Sequence, residues 1–560
     1  MQQPAPLHYA HWPPGQPHEI DLPASTIIDS LDQSARLVPD KACMVYYDSV
    51  TSFADCRDTV RKLAAFLQQV CGVSPGDRVL LYLQNCPQFV MAFHAVLRCG
   101  GVVVPVNPMT RSGELAHYVD DSGARTIVAG SEVAHHALPF FQSGALQHGI
   151  VVNYADALTQ PTTLALPDVL RADPAVEIPA CMHTWTDATA IDASRFQPVH
   201  VAPDDLCVMP YTSGTTGHPK GCMHTHRSVL FTAMAGMQWM GMQQDDVILG
   251  AMPYFHVTGM QRCMNGPLHN GSTTIILTRW DARVAAALIE RYQVTAWTGV
   301  PTMYIDLLGN PELEHVDLSS LQRISGGGAA MPPAIAQRMS QRLGGDYIEG
   351  YGLSETIAPS HINPPHRRKQ QTLGIPIFNT RSCVIDPDTC AVLGPNAVGE
   401  IAIHGPQVFQ GYWRNASATA DAFTTIDGKR YFRTGDLGYV DEDGYFHMVD
   451  RLKRMINASG FKVWPAEVEA LLHDHPAVKE VCVIAASDPH RGETVKALIV
   501  AHPHASPAPD AAALMAWARE HMAAYKAPRI VEFVTSLPKS ATGKVEWRAL
   551  QERERGAKPT

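Results

Sequence analysis

The feature that most restricts the fold is an alternation of short apolar runs with helix-patterned ones. "DRVLLYL" (77–83) and "GGVVVPV" (100–106) read as strands buried on both faces, "PQFVMAFHAVLRC" (87–99) as the helix between them, and "ARTIVAG" (124–130) as the next strand. That is βαβ grammar, which demands a parallel sheet covered by helices. A second run begins after the polar "QPVHVAPDD" (197–205): "LCVMPY" (206–211), then "TTIILT" (273–278) and "VTAWTGV" (294–300) flanking the helix "DARVAAALIERY" (281–292). From about Thr380 the strands shorten, as in "RSCVIDPDT", "GEIAIHG" and "GYVDEDGYFHMV", which predicts a small antiparallel barrel or sheet. Beyond Asp450 come the Pro-started helix "PAEVEALLHDHPAV" and the strands "EVCVIAASD" and "ETVKALIVA". At 560 residues the chain is too long for one core. The expected organisation is α/β: a large N-terminal domain, 1–450, of two helix-covered sheets with a small β-barrel-like subdomain, and a small α+β domain, 451–560.

Composition removes several function classes. With 46% hydrophobic and 18% charged residues, and no apolar run of membrane-spanning length, the chain reads as a globular protein without an integral membrane segment. "MQQPAPLHYAHWPPGQ" has neither the basic start nor the apolar centre of a secretory signal, so the cytoplasm is the expected compartment. Twelve cysteines from Cys43 to Cys482, without a C-x-x-C pair, fit reduced, mostly buried thiols better than disulfides or a zinc site. From Arg451 onward there are 16 Lys+Arg against 12 Asp+Glu, whereas the preceding residues carry 28 against 42. A net-acidic chain with no basic run is a poor nucleic-acid binder; its basic end is either a module able to meet a polyphosphate or charge drift between domains.

"YTSGTTGHPKG", Tyr211–Gly221, combines three glycines, four serine or threonine hydroxyls and one lysine. Glycines let backbone N–H groups close on an anion, hydroxyls donate hydrogen bonds and Lys220 brings a charge. A Walker A loop has glycine directly before its lysine; here that residue is Pro219. The stretch is a phosphate loop of another kind, or a linker. "YGLSET" (351–356) places Glu355 in a turn after the strand "GDYIEG", and one carboxylate beside a phosphate loop suffices for Mg²⁺. "GYGLSE" misses the dinucleotide fingerprint because its sixth residue is Glu355 where a glycine belongs, which excludes a dehydrogenase. Asp436 in "YFRTGDLGYVDEDGYFHMVDR" can accept from ribose hydroxyls, Arg451 ends the same stretch, and Lys544 closes the glycine-containing turn "PKSATGK".

Taken in order, "YTSGTTGHPKG", "PYFHVTGM", "SGGGAAMP", "YGLSET", "GEIAIHGPQVFQGYW", "YFRTGDLGYVDEDGYFHMVDRLKRMI" and "PKSATGKV" resemble the adenylate-forming superfamily of acyl-CoA synthetases, peptide-synthetase adenylation domains and luciferases, from roughly Thr26 to Ala549. The resemblance implies ATP, Mg²⁺ and coenzyme A as reaction partners and a role for each matching residue. Thr212, Ser213, Gly214, Thr215, Thr216, Gly217 and Lys220 would close on the β- and γ-phosphates. Glu355 would hold Mg²⁺ and Thr356 would meet the α-phosphate. Gly326, Gly327, Gly328 and Ala329 would line the adenine and acyl pocket, with Tyr351, followed by Gly352, stacked on adenine. Asp436 and Arg451 would bind the ribose. His256 matches a position between the ATP and acyl sites, and Lys544 the lysine that bridges carboxylate and α-phosphate. Lys453 matches the hinge before the small domain, and Ser459–Gly460 the wall of the pantetheine path. Lys544, Glu355 and Thr212 are the expected catalytic residues.

The chain departs from the family pattern at a few places. Ser354 replaces a threonine and keeps the hydroxyl, Asn457 stands where some aryl-CoA relatives carry lysine, and Met260 stands where some long-chain enzymes have a gating tryptophan. The alternate residues His224 and His226 suggest a metal pair on a strand, but no carboxylate or cysteine completes it. Val257, Met260, Trp297, Val300 and Met303, with Gly299 and Gly326 leaving room, favour a hydrophobic acid, and no charge stands among them to pair with a second carboxylate. The expected reaction converts such an acid, a medium- to long-chain fatty acid before an aryl or alicyclic one, to acyl-AMP and then acyl-CoA. Delivery to a carrier protein, an ATP hydrolase and a non-catalytic nucleotide binder are the rival readings, and homodimerisation stays open.

Overall fold

The computed structural model describes residues 6–22, 24–171, 181–212, 219–328, 331–458, 461–488, 492–502, 510–539 and 545–556, with the side chains of Lys453, Phe461 and Lys462 outside the description. By contacts the chain forms two compact units, Met1–Arg381 with Ile403–Phe432, and Ser382–Ala402 with Arg433–Thr560.

The first unit is built on the two sheets that the alternation predicts. Nine strands lie side by side in the order Ile375–Pro376, His361–Ile362, Tyr347–Tyr351, Arg323–Gly327, Ala296–Gly299, Val247–Gly250, Thr273–Ile276, Ala42–Tyr46 and Ser49–Ser52. The central pairings are parallel and the two edges antiparallel. The other sheet runs His224–Thr225, Leu206–Val208, Val102–Pro105, Arg78–Tyr82, Thr126–Gly130, His148–Val152 and Met182–Thr184, parallel except at its first pair.

Alternate residues of one strand serve different cores, as a pleat of period two requires. Val79 and Leu81 join the large cluster that contains Leu249, Ile275 and Trp297, whereas Leu80 and Tyr82 pack with Ile127 and Ala129. The helix Pro87–Arg98 is buried from Pro87 to Leu97 and accordingly carries apolar residues nearly all round. Local chemistry sets the helix ends. The side chain of Asp281 accepts from the amides of Arg283 and Val284 at 2.9 and 3.1 Å, opening the helix Ala282–Tyr292, and Gln293 leaves it at φ 48°.

The short strands expected after Thr380 are present. Phe423–Ile426 pairs with the start of Lys429–Val440 in the first unit. In the second unit, the residues of that long strand from Asp436 onward pair with Phe446–Arg451. The second unit also holds an α+β sheet in which Val478–Asp488 and Gly492–Ala501 form a long antiparallel pair, joined in parallel by Ile530–Phe533. Val468, Leu472, Val483, Val495, Ile499 and Leu514 fill its core. The helix Trp547–Gly556 docks through Gln551, whose amide donates to the carbonyl of Ala485 and accepts its N–H at 2.7 and 2.9 Å, as a neighbouring strand would. No helix among the described residues is long and apolar enough to cross a membrane.

Candidate active site

Parallel strands of the nine-stranded sheet end in glycine at Gly250, Gly299, Gly326–Gly327 and, one residue before the end, Gly350. At Gly326 and Gly327 the neighbouring backbone stands too close for a side chain, whereas Gly250 and Gly299 face the rings of Tyr254 and Tyr304. A Cβ on Gly326 would lie 2.0 Å from the carbonyl oxygen of Gly299, and one on Gly327 would lie 2.3 Å from that of Gly350. The carboxyl ends of such strands are where open α/β sheets take ligands, and at Gly326 and Gly327 they meet backbone to backbone. Gly328 turns the chain away at φ 84°. Glu349, on the strand Tyr347–Tyr351, accepts the N–H of Met331 at 3.0 Å through Oε1 and that of Gln371 at 2.8 Å through Oε2, tying both flanking segments to the strand. Burial raises its pKa.

The chain then makes a tight loop from Tyr351 to Ser360, closed by Ser360 N–H to the Tyr351 carbonyl at 2.8 Å. Gly352 is required there, since a Cβ would meet the Cα atoms of Ala358 and Pro359 at 2.9 Å. Ile357 and Ala358 hold φ 45° and 40°, a conformation that costs an L-residue of order 1–3 kcal/mol and marks strained, functional loops. The hydroxyl of Thr356 closes the one-turn helix, accepting from Leu353 N–H at 2.9 Å.

Glu355, 7% exposed, is gripped from outside its own loop. Its Oε1 accepts from the hydroxyl of Tyr412 at 2.8 Å, and its backbone carbonyl accepts from Phe409 N–H at 2.9 Å. Next door, Nε2–H of His224 donates to the carbonyl of Ser354 at 2.7 Å; burial lowers the pKa of this histidine to about 4, which keeps it neutral. Lys220 pairs with Thr212 across a two-residue-wide hairpin and sets its Nζ 4.9 Å from the centre of the Tyr412 ring, a cation–π contact. The hairpin is anchored by Tyr211, whose hydroxyl donates to Asp121 at 2.6 Å, and by His117, which donates to the Pro219 carbonyl at 2.6 Å. The structure therefore brings together Thr212, Lys220 and Glu355 through Tyr412, with Tyr351 at the start of the loop that carries Glu355. Ser213, Gly214, Thr215, Thr216, Gly217 and Ala329 lie outside the described residues.

The remaining candidates of this unit are core-like. Val257 and Met260 are buried, Val300 and Met303 partly so, and Trp297 is enclosed between Trp280 and Tyr304 at centroid distances of 5.4 and 4.1 Å. His256 opens the helical stretch that carries the first two, its Nδ1 accepting from Thr258 N–H at 3.4 Å. His226 corrects the strand reading of the histidine pair: it is the first residue of the helix His226–Trp239. No group of three metal-binding side chains occurs among the described residues.

In the second unit Asp436, 2% exposed, faces Arg451 across paired strands, Oδ1 to Nε 3.1 Å. Glu400 holds the preceding turn, accepting from Arg433 at 2.7 and 2.9 Å and from Gly435 N–H at 2.9 Å. Lys453 belongs to the single turn Leu452–Arg454, and Asn457 donates its N–H to Glu493 at 2.9 Å. Ser459, Gly460 and Lys544 lie outside the described residues.

Mg²⁺ suits the first cluster. Glu355 offers a hard oxygen ligand on a pinned loop, one carboxylate being enough when phosphates supply the rest. Residue typing missed Tyr412, Glu349 and Glu400, although two of them stand in the stretch "GEIAIHGPQVFQGYW" that carried the resemblance. They act through partners distant in sequence, which no local pattern reveals.

The chain is similar to known proteins over nearly its whole length. The chain matches the AMP-binding enzyme family over residues 31–413 and the AMP-binding enzyme C-terminal domain over 467–544. It is 35% identical over 553 residues to the long-chain-fatty-acid–CoA ligase of Bacillus subtilis (strain 168), covering 97% of each chain. Among solved structures it resembles the anthranilate CoA ligase AuaEII in complex with anthranoyl-AMP (TM-score 0.80, 25% identity, 96% of this chain and 98% of that one). It also resembles a Mycobacterium tuberculosis fatty acyl CoA synthetase (TM-score 0.72, 27% identity, 95% and 98%). With two thirds of its length matched by the family and a curated relative spanning nearly all of it, the chain belongs to the AMP-binding enzymes.

Proposed function

We propose that the acid taken by this AMP-forming acid–thiol ligase is hydrophobic, a medium- to long-chain fatty acid in the first instance, and that the cluster of Lys220, Tyr412 and Glu355 beside the bare strand ends is where ATP is held for its activation. That cluster carries the reading, because it joins a cation, an anchored carboxylate and unobstructed backbone at one place. A carboxylate is a poor electrophile, so one of its oxygens first attacks the α-phosphorus and pyrophosphate leaves with the cleaved P–O bond. A thiolate of coenzyme A then attacks the acyl carbon and AMP departs with the bonding pair.

Anions meet in the first step, so positive charge must be preorganised there. Lys220 supplies one such charge, fixed on the Tyr412 ring. Glu355 would hold Mg²⁺, with Tyr412 fixing its carboxylate; bound Mg²⁺ offsets negative charge on the phosphate oxygens. Tyr351 offers a ring to adenine, and Gly326 to Gly328 offer backbone in place of side chains. Thr212 stays with the phosphates in this proposal, Asp436 and Arg451 with ribose hydroxyls, and Lys544 with the charge on the α-phosphate. Lys453 is the proposed hinge of 451–560, and Ser459–Gly460 the wall of the thiol's path.

The buried apolar groups Val257 and Met260 behind His256 support a hydrophobic acid, as does likeness to a fatty-acid ligase. Likeness to an anthranilate ligase supports an aryl acid as the second reading. A panel of fatty, aryl and alicyclic acids assayed for CoA-dependent AMP release decides. The reading expects fatty acids to lead and AMP to appear with pyrophosphate in equal amounts; release of ADP and phosphate would overturn it.

A further inference from the structure

The helical stretch after His256 runs Val257–Gly259, continues as a π-helix Met260–Asn265 and ends as Gly266–Asn270. A π-helix is rare and most often sits at functional sites. Three polar side chains, Gln261, Arg262 and Asn265, are carried here into an otherwise apolar core. Two of them find partners. The amide of Gln261 donates to the Val229 carbonyl at 3.0 Å, and that of Asn265 to Gln261 Oε1 at 3.1 Å.

Arg262 does not. It is 9% exposed, its Nη1 is shut off from solvent, and no carboxylate or carbonyl accepts from its guanidinium among the described residues. Burial draws its pKa down to about 10. The headgroup rests against Gly236, in the last turn of the helix His226–Trp239; a Cβ there would lie 2.6 Å from Nη1. Glycine is a poorer helix residue than alanine. Both residues are thus unfavourable choices for stability, and together they form a slot for a cation.

A buried charge is normally paired, or it escapes the cost by losing its charge, and a guanidinium cannot do the latter at neutral pH. Its partner is therefore to be sought in a ligand. Arg262 follows Met260 by two residues and Val257 by five on one continuous helical stretch, the stretch assigned above to the acyl group. The planar fork of a guanidinium matches a carboxylate with two parallel hydrogen bonds.

We propose that Arg262 recognises an anionic group at the far end of the acid, so that the preferred substrate is a hydrophobic α,ω-dicarboxylic acid activated at one carboxylate while the other is held by this guanidinium. The proposal rests on the acyl-site reading above and narrows it. It also revises the expectation that no charge stands near the acyl group: Arg262 was hidden among Met260, Cys263 and Met264.

The test compares octanoic acid, octanedioic acid and its monomethyl ester, and the same three forms of dodecanoic acid, in CoA-dependent AMP release by the wild type, Arg262→Met and Arg262→Lys. A charge-assisted hydrogen bond predicts that the diacid exceeds the monoacid and ester in kcat/KM by on the order of tenfold to a hundredfold. Arg262→Met should abolish that preference while keeping monoacid turnover, Arg262→Lys should retain part of it, and octanedioate should raise the melting temperature of the wild type but not of Arg262→Met. The melting shift of the wild type stands even if a variant fails to fold. Equal or better use of the monoacid by the wild type, or an unchanged ratio in Arg262→Met, overturns the proposal. So does stimulation of octanoate activation by added acetate or phosphate, which would assign the guanidinium to a free anion. If no acid of the panel supports AMP release, the acyl-CoA synthetase reading itself falls.

Discussion

The two sheets of the first unit share one grammar and differ at the carboxyl ends of their strands. Each even carries a glutamate bound by a tyrosine hydroxyl: Glu355 with Tyr412 at 2.8 Å, and Glu132 with Tyr154 at 2.9 Å. In the seven-stranded sheet the ends are Tyr82, Pro105 and Val152, and the one glycine, Gly130, has its space filled by the Tyr154 hydroxyl, 2.1 Å from where a Cβ would be. In the nine-stranded sheet the neighbours of Gly326 and Gly327 include the backbone carbonyls of the next strand, and Glu355 has Lys220 at the same tyrosine ring. A carboxylate–tyrosine pair is therefore not a site by itself. Strand ends that meet backbone to backbone, as at Gly327, with Lys220 at the pair's tyrosine ring, make one; a strand end closed by side chains alone, as at Gly130, makes a core.

The sharpest way to break this comparison is to neutralise both glutamates in parallel. Glu355→Gln should lower AMP release on the order of a hundredfold or more, in line with the loss of a preorganised electrostatic group, and regain part of it at high Mg²⁺. Glu132→Gln should stay within about twofold of the wild type, since no ligand group lies beside it in this account; equal loss in both would erase the distinction.

Removing the tyrosine hydroxyls comes next. Tyr412→Phe leaves Glu355 in place but removes one of the hydrogen bonds that orient its carboxylate, and about a tenfold loss in Mg²⁺ affinity or turnover is expected for a group that orients a ligand. Tyr154→Phe should change thermal stability without changing turnover. Steady-state kinetics with Mg²⁺ titration separates the two.

Glycine replacement probes what fills each end. Gly327→Ala drives a Cβ onto the Gly350 backbone and should cost about 1–3 kcal/mol in denaturant unfolding. Gly130→Ala should cost a similar amount alone, but Tyr154→Phe in the same chain should relieve part of it, because there the obstacle is a removable hydroxyl. Relief of Gly327→Ala by any side-chain deletion would contradict the backbone argument.

The smallest effect concerns acid and base. Burial raises the pKa of Glu132, so the folded chain binds that proton more tightly than the unfolded chain. Stability contributed by the protonated form is then present at acid pH and falls as pH rises through the raised value. Glu132→Gln should melt higher than the wild type at neutral pH, with the difference vanishing toward acid pH; the opposite slope would reverse the assignment.

Much of this was legible in the sequence. "GGVVVPV" and "TTIILT" read as strands because they are apolar on both faces, and Pro87 and Asp281 announce helices. Glu355, Lys220 and Thr212 were legible because short polar, glycine-rich stretches stand out against such a background. Tyr412 was not, since its meaning depends on Glu355, far away in sequence, and a tyrosine between Gly411 and Trp413 has no local signature. Glu349 reads as one more charge until its two backbone partners are seen. Arg262 reads as a surface residue by type, and only the absence of a partner gives it significance.

The central claim is that the cluster at the bare strand ends makes acyl-AMP. Acid-dependent exchange of labelled pyrophosphate into ATP, measured without coenzyme A, addresses it most directly. The account predicts exchange with a hydrophobic acid, none without it, and its near-complete loss in Glu355→Gln but not in Glu132→Gln. Exchange that ignores the acid, or that survives in Glu355→Gln at the wild-type rate, would contradict it.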